Sequence, residues 1–577
     1  QCTGGRVWAH SFKSVRESIE MTPRIRNRFA LPQIAAVAMA ETRLAVRAIP
    51  NVLRYLFPIV AWAIATIALG IVLGFSAVIL PPMGAFGIVA VAGLVLLWVM
   101  PDLPLVSPGL IRKAFFVMLI ADLIIPYYYT VQFSGLPWIS ARRLATFTLI
   151  APFLVAVAAS SDVRRHIGER VRASLLVFIC ATGFLAVAAL SVFTSISPTE
   201  STSALVDAVL SWYVPFFAMI YIVRDHDDLV FLLKIICLCA ILNTGAGVVE
   251  FFLKHNFFVQ IFPTSMLDAL IANNPTLSDL LPSPQHFRNG LYRASSTFVT
   301  PLSFGEFEII VIPIGLFFFL HGEKLFEKVL GGVVVFGGLI GIFSSGSRGG
   351  FVGVIPSVAV FVAFYSIRKA MSSKGSLVPA IAGLLGIIGF GCVVGAIETS
   401  HSLHDMVLGG AAQASSTDAR YLQWTAGTPF IKSNPITGHG FGLGGYIIGM
   451  PSIDSYLLSL VVETGVLGLV FFVGLLVLPV WYGLRNYLSD MSESGALAGA
   501  LACSFIGFTI NRLVLSQKEN HMLIFSLLAI VIVLNYESAR KRAPQRSADK
   551  SLRSTYLRAG SVSPGRRTRQ ANQVGAS

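Results

Sequence analysis

Residues 456–482 read YLLSLVVETGVLGLVFFVGLLVLPVWY and contain one charged residue, Glu463. A helix needs about 20 consecutive apolar residues to cross the roughly 30 Å hydrocarbon core of a bilayer, so this stretch is long enough to cross once. Comparable stretches recur along the chain. They predict further spans at about 55–79, 83–100, 114–130, 144–160, 173–194, 205–223, 229–251, 302–320, 329–344, 350–366, 377–397, 495–511 and 521–536.

The composition supports the same class. The 577 residues are 55% hydrophobic and 12% charged, with a mean hydropathy of +0.75. Soluble domains carry about 25% charged residues, so a single soluble core is excluded. Alternating segments of about ten residues, typical of a membrane β-barrel, are absent from the sequence. We predict an all-α, polytopic membrane protein with about 12–14 transmembrane helices and one large loop on the non-cytoplasmic side.

The distribution of basic residues predicts the orientation. With the N-terminus inside, 32 of the 43 Lys and Arg residues fall in cytoplasmic segments and 10 on the opposite side. Such a bias places both termini in the cytoplasm. The net charge of +14 lies mainly in the two ends and short connections, so we predict contact with the lipid bilayer rather than with nucleic acid.

The spans divide the chain into seven segments. Residues 1–20 precede Met21 and are expected to be upstream or foreign sequence, since Met21 is a plausible start. The two longest internal connections are predicted outside, and such loops are usually functional. The segments are a basic cytoplasmic N-terminus (1–54), an N-terminal transmembrane bundle (55–251), a loop (252–301), helices with a hairpin (302–397), the large loop (398–455), C-terminal helices (456–536) and a basic, disordered cytoplasmic tail (537–577).

The hairpin predicted between two spans reads Ser344-Ser-Gly-Ser347-Arg348-Gly349-Gly350. Its Gly and Ser residues expose backbone N–H groups near a helix N-terminus, and Arg348 adds a forked donor, so the hairpin suits an oxyanion. In the alternative interpretation Gly and Ser close the turn and Arg348 reaches water.

The large loop supplies further polar groups. Arg420 and Trp424 are four residues apart on a predicted helix and share one face, which suits a sugar or phosphate, although cation–π packing within the loop would explain the pair equally well. A segment beginning at Asp454 leads into the span that contains Glu463, which needs a partner at membrane depth. His401 and His404, with Asp405 beside them, could suggest a metal site, but only two histidines three residues apart and no third ligand at a suitable spacing are visible. We predict no metal and no cofactor.

Four motifs in order resemble the O-antigen ligase and polymerase superfamily of bacterial envelope glycosyltransferases. Arg293 to Phe298 resembles its R-x-x-G-T-F-x-x-P segment, and Ser347-Arg348-Gly349 resembles its S-R-G signature. The Arg420-x-x-x-Trp424 helix, followed by Asn-Pro-x-x-Gly-x-Gly, resembles its large periplasmic loop. The fourth motif, Asp454-Ser-Tyr456-Leu with Glu463-Thr-Gly465, resembles the exit of that loop into the next helix.

The resemblance implies a GT-C-like fold in the bacterial inner membrane and an inverting, metal-independent transferase that uses undecaprenyl-diphosphate-linked glycans as donors. The acceptor would be a glycan or a lipid, and chain-length regulators or export proteins would be partners. Carried over to this chain, the diphosphate ligands would be Arg293, Ser347, Arg348, Gly349 and Arg420. Trp424 and Tyr456 would contact the glycan.

One departure from the family pattern concerns the base. Ligases of the family place a His where this chain has Ile453-Asp454. Asp454 and His439 are the two candidate bases, with Arg420 beside them as a catalytic candidate. The missing His favours a polysaccharide polymerase over a ligase that transfers glycan to lipid A or another envelope acceptor. A transporter or flippase is a weaker alternative, since no internal repeat is evident.

Overall fold

A computed structural model describes residues 93–99, 102, 105–131, 139–273, 286–288, 290–372, 414–450 and 452–560, with isolated positions between 381 and 400. The chain divides into two compact units, 1–103 and 104–577. In the first unit, residues 93–99 are helical. The second unit contains the elements described below.

The second unit is built almost entirely from helices. Two short antiparallel strand pairs, β1 (Thr130–Val131) with β2 (Ile139–Ser140) and β3 (Phe287–Arg288) with β4 (Leu291–Tyr292), lie between them. A π-helical turn spans Val209–Tyr213. The helices are α1 (Pro108–Ile124), α2 (Ala141–Ala159), α3 (Ser161–Arg172), α4 (Leu175–Phe193), α5 (Pro198–Ala208), α6 (Val214–Ile222), α7 (His226–Leu253), α8 (Phe257–Ile261), α9 (Thr264–Asn273), α10 (Pro301–His321), α11 (Leu325–Ser345), α12 (Arg348–Ser372), α13 (Ala414–Ser433), α14 (Gly444–Ile448), α15 (Tyr456–Ser489), α16 (Glu493–Asn511) and α17 (His521–Gly560).

The fold class predicted from the sequence is confirmed. Within the described residues, ten helices are long and apolar enough to cross a membrane. Helix α1, with 17 residues, overlaps an eleventh predicted span. The span predicted at 55–79 and most of the spans predicted at 83–100 and 377–397 lie outside the described residues. So do most of the N-terminal segment, residues 274–285 and 401–413, and the last 17 positions.

Two predicted boundaries differ from the structure. The span placed at 114–130 begins earlier because Ser107 caps the helix and Pro108 occupies its first turn, and it ends before Pro126, which cannot continue a helix. Helix α17 continues to Gly560, so the tail expected to be disordered from 537 is helical to that residue. There Arg542 donates to the Ser489 hydroxyl at the end of α15, and Lys541 lies 3.7 Å from Asp490 in the α15–α16 connection.

The connections between helices meet at two ends of the bundle. One end, here called the loop end, contains the connections 194–197, 286–300, 346–347, 434–455 and 512–520. Hydrogen bonds link these connections to one another or to adjoining helix ends, for example Ile196 N to His439 O (3.3 Å), Ala294 N to Ser344 O (2.9 Å) and Tyr456 N to Arg512 O (3.1 Å). At the opposite end Arg368 binds the carbonyls of Tyr487 and Ser492. All four predicted motifs therefore lie at the loop end.

Candidate functional site

The hairpin between α11 and α12 has the backbone that its Gly and Ser residues favour. Gly346 ends α11 with φ of 57°, a left-handed conformation that glycine adopts without a steric penalty. The hydroxyl of Ser347, which is fully buried, accepts the N–H of Gly350 at 3.2 Å. This cap makes Arg348 the first residue of α12. The Arg348 side chain is therefore attached to the helix at the loop end.

Arg293 lies against this hairpin, as the order of the motifs suggests. The N–H of Ala294 donates to Ser344 O at 2.9 Å, and Arg293 Nε donates to Ser345 O at 3.2 Å. A Cβ atom added at Gly346 would lie 3.0 Å from Arg293 Cγ. The structure therefore brings the first two motifs, and with them Arg293 and Arg348, to one place.

A buried glutamate fixes the backbone of the Arg293 segment. Glu250, in α7, accepts the N–H groups of Ser295 (3.1 Å) and Ser296 (2.7 Å) and the hydroxyl of Tyr292 (3.1 Å). The amide of Asn256 donates to the same carboxylate at 3.3 Å. Carboxylate acceptors of this kind are worth more than neutral ones, so the segment is held by its main chain and not only by packing.

The second half of the large loop is joined to helix α15 at a break in that helix. Gly465 has φ of 66° and ψ of −172°. A Cβ atom there would lie 2.3 Å from the carbonyl oxygen of Ile436, so only glycine fits. Just after the break, the N–H of Val466 donates to Pro435 O at 2.8 Å instead of to its own helix.

The same break frees two carbonyls on its other side. Val462 O accepts the N–H of His439, and Glu463 O accepts the N–H of Gly440, both at 3.0 Å. In an unbroken helix these carbonyls would accept N–H groups four residues further on. The Glu-Thr-Gly465 motif thus supplies hydrogen bonds to the Asn-Pro-x-x-Gly-x-Gly motif.

Glu463 itself anchors the next part of the loop. Its carboxylate accepts the N–H groups of Gly442 (2.8 Å) and Gly444 (3.0 Å) and the hydroxyl of Ser459 (2.6 Å). Lys518 Nζ lies 3.9 Å from the same carboxylate. The expected partner for this residue at membrane depth is therefore largely a pair of backbone N–H groups, in the same manner as at Glu250.

Two predicted catalytic residues meet in the large loop. Arg420 Nε lies 3.5 Å from Asp454 Oδ2, and both side chains are partly open to solvent, at 43% and 37%. The N–H of Asp454 donates to the amide oxygen of Gln423 at 2.9 Å. Trp424 is 49% exposed, so its indole is accessible next to this pair.

The structure places the other two predicted loop residues in supporting positions. His439 Nε2 lies 2.9 Å from Phe430 O and 3.0 Å from the Ser433 hydroxyl. A carbonyl only accepts, so Nε2 is the donor in this contact. The ring of Tyr456 is completely buried, with the rings of Phe472 and His521 both 5.0 Å away, so it does not face a glycan at the surface.

Sequence reasoning missed the centre that joins the two groups of motifs. Arg512 pairs with Glu306, and both side chains are almost fully buried. Asn511 and Asn520 each donate to the same carboxylate at 3.0 Å. The available signals were a glutamate within an apolar span and an arginine on the side where the orientation rule disfavours it. The two residues are more than 200 positions apart in the sequence, so no local sequence pattern indicates that they pair.

The turn after α16 connects the hairpin to the loop exit. A Cβ atom at Gly349 would lie 2.5 Å from the amide oxygen of Asn511, and Tyr456 N donates to Arg512 O. Both the Ser347-Arg348-Gly349 hairpin and the segment after Asp454 therefore pack on the same turn.

No group of three His, Cys, Asp or Glu side chains suited to a metal ion occurs among the described residues. His401, His404 and Asp405 lie outside them. The described site is instead made of arginines, carboxylates and backbone donors, which suit a phosphate ester and a hydroxyl group.

Residues 309–473 match the model of a family described as O-antigen ligase. The match confirms the resemblance to the O-antigen ligase and polymerase superfamily, whose members are membrane enzymes of the glycosyltransferase and ligase type. Three of the four motifs lie within the matched range, and the Arg293 segment lies just before it. No curated protein matches the chain.

Proposed function

We propose that this protein is a polymerase-type glycosyltransferase that joins undecaprenyl-diphosphate-linked glycan units on the periplasmic face of the bacterial inner membrane. The observation that carries the proposal is the convergence of Arg293, Arg348 and the Arg420–Asp454 pair on loops at one end of the bundle. These loops belong to, or directly precede, the segment that matches the O-antigen ligase family.

In the proposed reaction a hydroxyl oxygen of the acceptor glycan attacks the anomeric carbon of the donor. The bond between that carbon and the diphosphate oxygen breaks, and undecaprenyl diphosphate leaves with the bonding pair. The hydroxyl proton passes to Asp454, and the configuration inverts. A base must reach the proton that it takes, and the exposed carboxylate of Asp454 is open to an incoming acceptor.

The arginines would bind the diphosphate. A guanidinium can offer two parallel donors to two phosphate oxygens, and charge that grows on the leaving group is stabilised by donors already in place. The 3.5 Å separation of Arg420 from Asp454 would let one residue bind the donor while its neighbour binds the acceptor. His439, through Nδ1, is the second candidate base.

The proposal also includes an orientation of the protein in the membrane and a route for the lipid-linked donor. The charge distribution supports a loop end outside the cytoplasm with both termini inside. A donor carried by a membrane lipid would then approach from the bilayer. Interaction with proteins that regulate chain length or export the product belongs to this proposal as well.

A ligase that transfers glycan to lipid A or another envelope acceptor is the second candidate, since the matched family carries that description. Deletion of the gene distinguishes the two. A polymerase mutant should keep single repeat units on its envelope acceptor and lose longer chains. A ligase mutant should accumulate long chains on the lipid carrier and attach none.

The direct test uses purified full-length protein in lipid nanodiscs with a lipid-diphosphate-linked repeat unit and no added metal. The expected product is a ladder of longer lipid-linked glycans, abolished by Arg348→Ala. Failure of the wild-type protein to elongate the donor, in nanodiscs where the protein is folded, would contradict polymerase activity.

A further inference from the structure

The loop end contains a cavity of about 330 Å³ that none of the predicted site residues lines. Pockets for small ligands start at about this volume. The cavity lies between the start of α2, the π-helical turn, the loop at Phe441 and the 517–519 segment. Its polar and aromatic lining includes Arg142, Arg143, Asp207, Trp212, Lys518 and Glu519.

Arg142 brings an unused donor to this cavity. The residue is buried, with 6% of its surface exposed. Its Nε donates to Ile125 O, and its Nη1 lies 3.8 Å from Asp122. Nη2 is buried and forms no hydrogen bond with any residue that the structure describes. A buried donor without a partner is costly, and a ligand in the cavity would remove that cost.

Glu519 brings an unused acceptor. One carboxylate oxygen accepts the N–H of Val299 at 3.0 Å, and the Ser303 side chain is a second neighbour of the carboxylate, whereas Oε2 is buried and meets no donor within 3.5 Å in the described parts of the chain. Burial raises the pKa of this carboxyl group above its ordinary value. Arg142 and Glu519 therefore each carry a buried polar atom without a hydrogen bond in the described parts of the chain, and both residues line the same cavity.

The charges that line the cavity cancel. Arg142 Nη1 lies 3.8 Å from Asp122, and Arg143 lies 3.8 Å from Asp207. Lys518 and Glu519 complete three cations and three carboxylates in the lining. A diphosphate would favour a clear excess of positive charge, which this cavity lacks. A neutral ligand rich in hydroxyl groups fits better, because each hydroxyl both donates and accepts.

Aromatic rings supply the remaining surface. Trp212, Phe441 and Tyr127 all line the cavity, and Lys518 Nζ lies 4.6 Å from the Phe441 ring centroid. Sites for small ligands combine such apolar walls with a few placed polar groups, and the apolar face of a sugar ring packs on walls of this kind. The lining thus matches a sugar in both its polar and its apolar parts.

We propose that this cavity is a binding subsite for one uncharged sugar residue of the glycan substrate, with Arg142 and Glu519 as its hydrogen-bonding residues. The inference rests on the proposed function for its choice of ligand. It assigns the sugar to a place distinct from the diphosphate arginines and from the buried Tyr456.

The test measures two kinds of binding separately on purified full-length protein in nanodiscs. The probes are the oligosaccharide repeat released by mild acid from the source organism's lipid carrier, followed by ligand-observed NMR, and inorganic pyrophosphate. Glu519→Gln turns the unused acceptor into a donor while an amide oxygen remains for Val299. Arg142→Lys keeps the charge and removes Nη2. Lys432→Gln, an exposed cation of α13, is the matched control.

We expect both cavity variants to weaken oligosaccharide binding by about 10-fold or more, the range for hydrogen bonds to charged groups. Pyrophosphate binding should be unchanged, and the control should resemble wild type. Ser211→Phe, which fills part of the cavity, should weaken oligosaccharide binding even if the other two variants unfold.

Unchanged oligosaccharide affinity in a folded Glu519→Gln protein would overturn the assignment. Loss of pyrophosphate binding with retained oligosaccharide binding would also overturn it, because the cavity would then be an anion site. The proposed function fails separately: a wild-type protein that binds the oligosaccharide at Glu519 but never elongates a lipid-linked donor contradicts the polymerase and leaves the subsite standing.

Discussion

Arg420 and Asp454, brought together from two separate motifs of the large loop, lie 3.5 Å apart from Nε to Oδ2 and are both partly exposed. The two opposite charges thus lie side by side without any bound substrate. A surface pair of this kind contributes little to folding stability, about 0–1 kcal/mol. Its placement is therefore better tested through activity than through unfolding.

Arg420→Ala and Arg348→Ala should each abolish glycan assembly while the amount of protein in the membrane stays unchanged. Arg→Lys at either position should rescue poorly, because an ammonium group does not provide the paired donors of a guanidinium. Envelope glycans separated on gels, together with immunoblots of membrane fractions, provide the measurement. Lys432→Ala is the control. Full activity in both Arg348→Ala and Arg420→Ala would contradict the assignment of these arginines to the diphosphate.

Replacing Glu463 by Ala should detach the loop that it holds. The backbone donors of Gly442 and Gly444 would lose their acceptor, and hydrogen bonds to charged groups are worth about 1.5–3 kcal/mol each. We expect a lower unfolding temperature and faster hydrogen exchange at these two amides. Native exchange rates at both amides in a folded variant would contradict the anchoring role.

Gly465→Ala should destabilise the protein by more than about 1–3 kcal/mol, because the residue would carry a side chain at positive φ and its Cβ would collide with Ile436 O. Gly245→Ala is a matched control, since a Cβ there meets nothing within 4 Å. Chemical unfolding in detergent measures both. Equal stability of the two variants would show that the break at Gly465 does not constrain the fold.

Removal of one partner from the Arg512–Glu306 pair should cost about 3–5 kcal/mol, because a buried charge would remain without compensation. Arg512→Met together with Glu306→Met should be less harmful than the sum of the single changes. A double-mutant cycle on unfolding free energies measures the difference. Additive effects would indicate that the two charges do not interact.

The spans were predictable because apolar length is a local property. Span 456–482, for instance, needed no knowledge of its neighbours. The helix ends were less predictable. The start of α1 depends on the Ser107 cap, and beyond its apolar part α17 contacts the distant residues Ser489 and Asp490 through Arg542 and Lys541.

The candidate site residues could be proposed from the sequence, but the residues that hold them in place could not. The motifs identified Arg293, Arg348, Arg420 and Asp454, since each had a recognisable neighbour in sequence. The cavity residues Arg142 and Glu519 have no such pattern, and they meet only because α2 and the segment after α16 pack at one end. Hydropathy and spacing carry no information about contacts at that separation.

The two buried carboxylates, Glu250 and Glu463, affect which positions of the loops can change among related sequences. Both hold their loops through main-chain N–H groups, and at Gly442 and Gly444 these groups belong to residues that have no room for a Cβ atom. The course of the loop can therefore survive substitutions between these two positions and beside them, at Phe441 for example, but not at the two glycines. A related enzyme acting on another sugar could change its preference at such positions while its two glutamates stay in place.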